Sequence, residues 1–355
     1  MRNSFFSISF FLYLSVRPGP LTEELVTEFT NAISDTKFKP DTDQVLRALR
    51  TSTLADKYPI HGYVGAGGGG MVFIADESKD KPLAFKLMKD SKGYPNCKDN
   101  LILKELNDDD VIYVNRYVAH EEIRFKYEGE LRFWCALVTE RGKQDLYSPL
   151  FADKDPKKHW PEIFSMVGKI ILAHAEINFK ERILHGDIKP ENIILIERNG
   201  EYEPAVIDFD LKLDYLNSKA NDCQARYTDT YRAPELRVKC EVDEKYDSDF
   251  WKKNCESYFY SKNFLEDAYA LAQTIKDFLE INADNVTRDP KYFNMSTSLV
   301  NNGLANVKKR YTTLQMAEEY EEIRTRYGLE GPWFEKFKQR LNRLKKEESN
   351  KCLIV

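Results

Sequence analysis

The run His185-Gly186-Asp187-Ile188-Lys189-Pro190-Glu191-Asn192 constrains this chain more than any other stretch. It joins an apolar helical pattern, Trp160 to Phe179, to a β-branched run, Ile193 to Ile196. A second run follows, Ala205-Val206-Ile207-Asp208-Phe209-Asp210. Together they set a carboxylate, an amide and a second carboxylate at the edges of apolar strands. Phosphoryl transfer needs such groups. One acid orients and deprotonates an attacking hydroxyl, while an amide and a second acid hold magnesium against nucleotide phosphates.

Upstream, Tyr63 to Ile74 reads as strand, turn and strand around Gly65-Ala66-Gly67-Gly68-Gly69-Gly70. Consecutive glycines let backbone amides approach phosphate oxygens with no Cβ in the way. A dinucleotide fold would follow such a turn with a helix. Here strand continues through Val72-Phe73-Ile74, and another strand, Leu83 to Met88, comes next. That order favours a hairpin covering a nucleotide. The helix from Trp160 to Phe179 is apolar over much of its circumference, which predicts burial.

At these residues the chain resembles eukaryotic protein kinases of the serine/threonine type. Residues 185–192 resemble their catalytic loop, and Asp208-Phe209-Asp210 their metal-binding Asp-Phe-Gly. The resemblance implies an α+β fold of two lobes, a small β-rich N-lobe and a larger α-helical C-lobe. It implies ATP and Mg²⁺ as cofactors and proteins as substrates. Asp187 would be the general base, and Lys189 would reach the transferring phosphate. Asn192 and Asp208 would ligate the metal. Gly65, Gly67, Gly70 and Val72 match the glycine-rich loop, and Ala84-Phe85-Lys86 matches the strand whose lysine pairs with the α- and β-phosphates. The helix acid that normally holds that lysine falls on Asp99, one methylene shorter than glutamate; Glu105 comes too late in the pattern. Thr139 stands as gatekeeper. Backbone groups of Glu140 and Gly142 would bond the adenine edge, and Asp145 would meet the ribose.

Two departures bear on mechanism. Gly186 replaces the arginine that many kinases use to grip a phosphorylated activation loop, and Asp210 replaces a glycine. His-Gly-Asp followed by Ile-Asp-Phe-Asp also resembles aminoglycoside and choline kinase-like phosphotransferases. A catalytically silent scaffold is the other alternative, supported by Asp99 and Asp210. Arg232-Ala233-Pro234-Glu235 favours the protein kinases, because it resembles the Ala-Pro-Glu that closes their activation segment. Thr228 and Tyr231 fall where a substrate-positioning threonine and its neighbour would be. Arg310-Tyr311-Thr312 resembles the segment whose arginine pairs with that glutamate, and Asp267 the helix aspartate that braces the catalytic loop.

These readings divide the chain into an apolar segment 1–17, a polar helical extension 18–56, an N-lobe 57–140, a C-lobe 141–340 with an insertion at about 240–262, and a basic tail 341–355. A net charge of −5 gives no overall basic field, so no nucleic-acid partner is expected. The six cysteines are scattered without metal-ligand spacing, which predicts mostly reduced thiols and a cytoplasmic protein. Two routes to a membrane stand beside that expectation. Phe5 to Val16 has the charge context and length of a signal-peptide core. Cys352-Leu353-Ile354-Val355 fits a prenylation box, with Arg340, Arg343, Lys345 and Lys346 upstream.

Overall fold

The computed structural model describes residues 26–27, 42–67, 70–78, 81–89, 97–148, 156–198, 200–209, 213–214, 228, 230–234, 264–285 and 288–352. The apolar segment 1–17, the insertion at 240–262, Asp210, Glu235 and the side chains of Asp99 and Cys352 lie outside them. By contacts the chain forms two units: 1–95 with 119–138, and 96–118 with 139–355.

The N-terminal unit is built on an antiparallel sheet of five strands in the order β1-β2-β3-β5-β4. Its strands are β1 (Ile60–Gly67), β2 (Gly70–Ser78), β3 (Lys81–Lys89), β4 (Tyr117–Tyr127) and β5 (Glu130–Glu140). Strands β2 and β3 show the two-residue period of a sheet with unlike faces. Met71, Phe73, Ala75, Leu83, Phe85 and Leu87 are buried, and Val72, Ile74, Ala84 and Lys86 between them are half-buried.

Ahead of the sheet come α1 (Thr42–Thr51) and α2 (Thr53–Lys57), which bury Val45, Ala48, Leu49 and Leu54. They are fastened to β4 by one carboxylate. Glu121 accepts hydrogen bonds from Ser52 Oγ (2.7 Å), Thr53 N (3.0 Å), Thr53 Oγ1 (2.9 Å) and Leu54 N (3.1 Å). Burial pushes its pKa up, but those bonds outweigh burial and leave it below its ordinary value.

The C-terminal unit contains α3 (Lys98–Asp108), which the sequence reading placed in the N-lobe. Its core is α4 (Pro156–Ala175), whose Trp160, Phe164, Val167, Ile170 and Ile171 are fully buried, as the apolar pattern predicts. Around it pack α5 (Leu265–Asn285), α6 (Pro290–Gly303), α7 (Thr313–Arg326) and α8 (Pro332–Cys352). Two β elements complete the unit. One is β6 (Gln144–Asp145), β8 (Ile193–Arg198) and β9 (Glu201–Val206); the other pairs β7 (Ile183–Leu184) with β10 (Leu213–Asp214).

Three observations differ from expectation. The α-helical ladder of α4 stops at Ala175 rather than Phe179, and a π-turn, Glu176–Lys180, follows. Its wider turn carries four consecutive buried residues, Glu176 to Phe179, which an amphipathic α-helix does not present at a surface. Helix α8 runs without a break past the boundary drawn at 341 and buries Phe334, Phe337, Leu341 and Leu344. Three of its cations are paired within the domain: Lys338 with Glu330 and Glu335, Arg340 with Asp110 and Glu176, and Lys345 with Glu318. Cys97 is disulfide-bonded, and so, in the N-terminal unit, is Cys135, where the sequence predicts mostly reduced thiols. Among the described residues no helix is long and apolar enough to cross a membrane.

Candidate active site

In the N-terminal unit the site residues share one sheet face. Gly65 pairs with Val72, and Val72 with Lys86; two residues along, Ile74 pairs with Ala84. Partners across an antiparallel pair, and residues two apart, point the same way. Val72, Ala84 and Lys86 therefore lie on the half-buried face, opposite the apolar layer. Gly67 and Gly70 are the closing pair of the hairpin. Gly70 must be glycine: its φ is 132° and a Cβ there would overlap the Leu87 carbonyl. Gly65 has open space around it.

In the C-terminal unit the loop between β7 and β8 carries the acid. Asp187 is buried, and both carboxylate oxygens are engaged. Oδ1 accepts from Thr228 Oγ1 (2.9 Å) and Thr228 N (3.2 Å). Oδ2 accepts from Lys189 Nζ (2.6 Å) and Asn192 Nδ2 (3.1 Å). Lys189 Nζ also donates to Thr228 Oγ1 at 3.1 Å. A hydroxyl thus stands between a carboxylate that can take its proton and an ammonium that can neutralise charge developing beside it. Such a geometry is of the kind general-base chemistry uses.

Asn192 follows in the short turn Pro190–Asn192 and opens β8. Its NH₂ also donates to the Asp187 carbonyl (2.8 Å), which leaves the amide oxygen as its acceptor end. Ile207 N donates to the Asn192 carbonyl at 3.0 Å, and Ile193 pairs with Val206. Asn192 and Asp208 therefore flank the same end of the β8–β9 hairpin. Asp208 sits at φ 66°, a left-handed conformation that aspartate tolerates better than most residues. An amide oxygen and a carboxylate are hard donors that fit Mg²⁺, which is usually held by one or two carboxylates plus substrate phosphates. Among the described residues no group of three or more His, Cys, Asp or Glu could hold a metal without such phosphates.

His185 orders the approach to this end. Its Nδ1 accepts from Asp187 N (3.3 Å), so its Nε2–H donates to the Ile207 carbonyl (3.0 Å). Its ring packs on the buried Phe209 at 5.0 Å. Beneath the loop lies Asp267, fully buried on α5 as the sequence reading expects. It accepts from His185 N (2.8 Å), Gly186 N (3.1 Å) and Asn178 Nδ2 (2.8 Å). Burial pushes its pKa up, opposed by His185 and by those three donors. Gly186 takes φ 79°, which gives its glycine a backbone reason.

The segment expected to meet adenine follows β5. The Glu140 amide donates to the Arg116 carbonyl (3.1 Å), and its carbonyl accepts from Asn115 Nδ2 (3.2 Å). The amide is therefore committed to the fold, while the carbonyl keeps a second lone pair. The Glu140 carboxylate is held by Arg198 at 2.7 Å. Gly142 lets the segment lie against β8, since a Cβ would stand 2.7 Å from Ile194 Cβ. Asp145 caps its own turn, accepting from Tyr147 N (3.1 Å) and Ser148 Oγ (3.3 Å).

Downstream, the Tyr231 amide donates to the Thr228 carbonyl (2.9 Å) and its hydroxyl to Asp277 (2.8 Å). Arg310 donates to the Leu265 and Ala305 carbonyls (both 3.2 Å) and stacks on Tyr269. Its expected partner Glu235 is outside the described residues. Sequence reasoning missed Glu176, Asn178 and Thr313. The one signal was two polar residues interrupting an otherwise apolar helix.

Comparison with known proteins gives a family for the chain. The protein kinase domain family matches residues 58–319. Among curated proteins, a leaf rust 10 disease-resistance locus receptor-like protein kinase-like protein of Arabidopsis thaliana is 30% identical over 190 residues, 52% of this chain and 29% of that protein. A cyclin-dependent kinase D-1 of Oryza sativa subsp. indica is 28% identical over 195 residues, 52% of this chain and 41% of that protein. A probable dual specificity protein kinase, a YAK1 homolog of Encephalitozoon cuniculi, is 26% identical over 211 residues, 58% and 47%. The chain thus spans less than half the length of each of these relatives.

Proposed function

The chain belongs to the protein kinase family, and on that premise we propose that it transfers the γ-phosphate of ATP, with Mg²⁺, to serine or threonine hydroxyls of proteins. The observation that carries this reading is a hydroxyl, Thr228 Oγ1, held between Asp187 and Lys189. The same pair can hold an incoming Ser or Thr hydroxyl. Asp187 accepts its proton, and Lys189 offsets negative charge on the transferring group.

Asn192 and Asp208 are the residues we assign to Mg²⁺, which when bound neutralises charge on the β- and γ-phosphates. Asn192 also orients Asp187 through its NH₂. We assign Gly65, Gly67 and Gly70 to the phosphates, Val72 and Ala84 to the base, and Lys86 to the α- and β-phosphates. The Glu140 carbonyl and the Gly142 backbone go to the adenine edge, and Asp145 to the ribose. Because the transition state is loose, these groups act mainly by position and charge.

Melting of the purified chain with ATP, with and without Mg²⁺, tests the nucleotide site. We expect a rise in melting temperature that needs both, is lost in Lys86→Met, and loses its metal dependence in Asp208→Asn. Label from ATP should then reach Ser and Thr peptides. Labelling of choline- or sugar-like acceptors alone would overturn the protein-kinase reading. No response to Mg²⁺-ATP would overturn the whole assignment.

A further inference from the structure

Helix α8 holds the segment leading into the catalytic loop at both ends. At one end Arg340 Nη1 donates to both oxygens of Glu176 (2.8 and 3.0 Å) and to the Asp110 carbonyl (2.9 Å). Its Nη2 bonds the Asp110 carboxylate (2.5 Å). Glu176 is 2% exposed and also accepts from Ile112 N (3.0 Å). At the other end Arg182, at φ 58°, pairs with Glu348 (2.6 Å). Between these anchors lies the π-turn Glu176–Lys180.

The inner side of the turn is bound as tightly. Asn178 is fully buried, and each end of its amide is used. Nδ2 donates to Asp267 (2.8 Å) and to the Ile183 carbonyl (2.9 Å), and Oδ1 accepts from Thr313 Oγ1 (2.8 Å). Asp267 in turn receives the His185 and Gly186 amides. A continuous path of hydrogen bonds and one widened turn therefore joins Arg340 to the residue before Asp187. Widened turns of this kind concentrate at functional sites.

We propose that Arg340 is a positioning residue for phosphoryl transfer, fixing the π-turn from outside so that Asn178 and Asp267 hold the catalytic loop from within. The inference rests on the protein-kinase reading for its kinetic consequence, but not for its structural one. Arg340 is the cation hydrogen-bonded to the buried Glu176 carboxylate, and Lys180 adds its charge nearby. Without it Glu176 loses its hydrogen-bonded cation and keeps only the charge of Lys180 to offset its burial, so the turn must shift toward water. Displacement of about 1 Å at a catalytic group costs up to ~100-fold in rate.

The test compares Arg340→Leu, Arg340→Lys and the pair Arg340→Leu with Glu176→Gln, each assayed well below its melting temperature. Arg340→Leu should lower kcat about 10- to 100-fold and leave KM for ATP and peptide near the wild-type values. Arg340→Lys should restore part of the loss, because one ammonium reaches fewer acceptors than the guanidinium fork. The double variant should also recover activity, since neutral Gln leaves no buried charge. Wild-type kcat in Arg340→Leu would overturn the inference and leave the protein-kinase reading intact. Hydrogen exchange supplies the readout that needs no activity. The His185 and Gly186 amides should exchange faster in Arg340→Leu, and unchanged protection would sink the idea even if the wild type transfers nothing.

Discussion

Asp187 has a hydrogen-bond partner on each carboxylate oxygen, whereas Gly65 meets nothing within 4 Å of where its Cβ would be. These two regions, one in each unit, are thus built by different means. The catalytic loop is held by buried side-chain polar groups, each satisfied by another. The glycine hairpin is held by strand register and an apolar layer on the far face, with no side chain at Gly65, Gly67 or Gly70. Buried polar networks are costly to break at any one member. A glycine turn is sensitive only where a Cβ would collide.

That contrast yields a graded set of outcomes. Asp267→Ala should have the largest effect on stability. It leaves the His185 and Gly186 amides and the Asn178 NH₂ without their acceptor, at about 1–3 kcal/mol for each buried donor that finds no other partner. Chemical denaturation would check it; a change under 1 kcal/mol would show that the network is dispensable.

Gly70→Ala comes next, with a loss of about 1–3 kcal/mol from its φ of 132° and its contact with the Leu87 carbonyl. Gly65→Ala should lie within about 0.5 kcal/mol of wild type, while weakening ATP binding in a titration. Equal stability losses at the two glycines would break the comparison.

Acid should separate the units. Burial, with His185 beside it, pushes the His174 imidazole down to about 3. The unfolded chain takes up that proton near pH 6.5. Stability of the C-terminal unit should therefore fall as pH drops below about 6.5, by at most ~1.4 kcal/mol per pH unit for this one proton. In the N-terminal unit the Glu121 carboxylate is depressed. Its contribution should be complete above its ordinary value and fade only as pH falls below that. Unfolding midpoints followed against pH would resolve the two, with His174→Gln flattening the first slope and Glu121→Gln the second. A single slope that ignores both variants would contradict the assignment.

Much of this was legible in the residues. The apolar period of Leu83 to Leu87 marks the strand that carries Lys86, and the catalytic loop lies between a helix and a strand as its neighbours imply. Asp267 was readable because it opens an apolar helix. What the sequence could not reveal depends on contacts distant along the chain. The Glu140 amide is committed because Arg116 happens to face it. The π-turn exists because Glu176 and Asn178 must both point inward, toward partners on α5, α7 and α8. Local periodicity carries no record of such partners. The face of Phe334, Phe337 and Leu341 on α8 was readable from its spacing, while the ion pairs of Arg340 and Lys345 with residues far along the chain were not.

The most direct test of the account is label transfer from γ-labelled ATP, with Mg²⁺, to a degenerate Ser/Thr peptide library by wild type and by Asp187→Asn of matched stability. The account predicts labelled Ser or Thr from the wild type and a rate about 10²- to 10⁴-fold lower from the variant. Equal rates from the two proteins would contradict it.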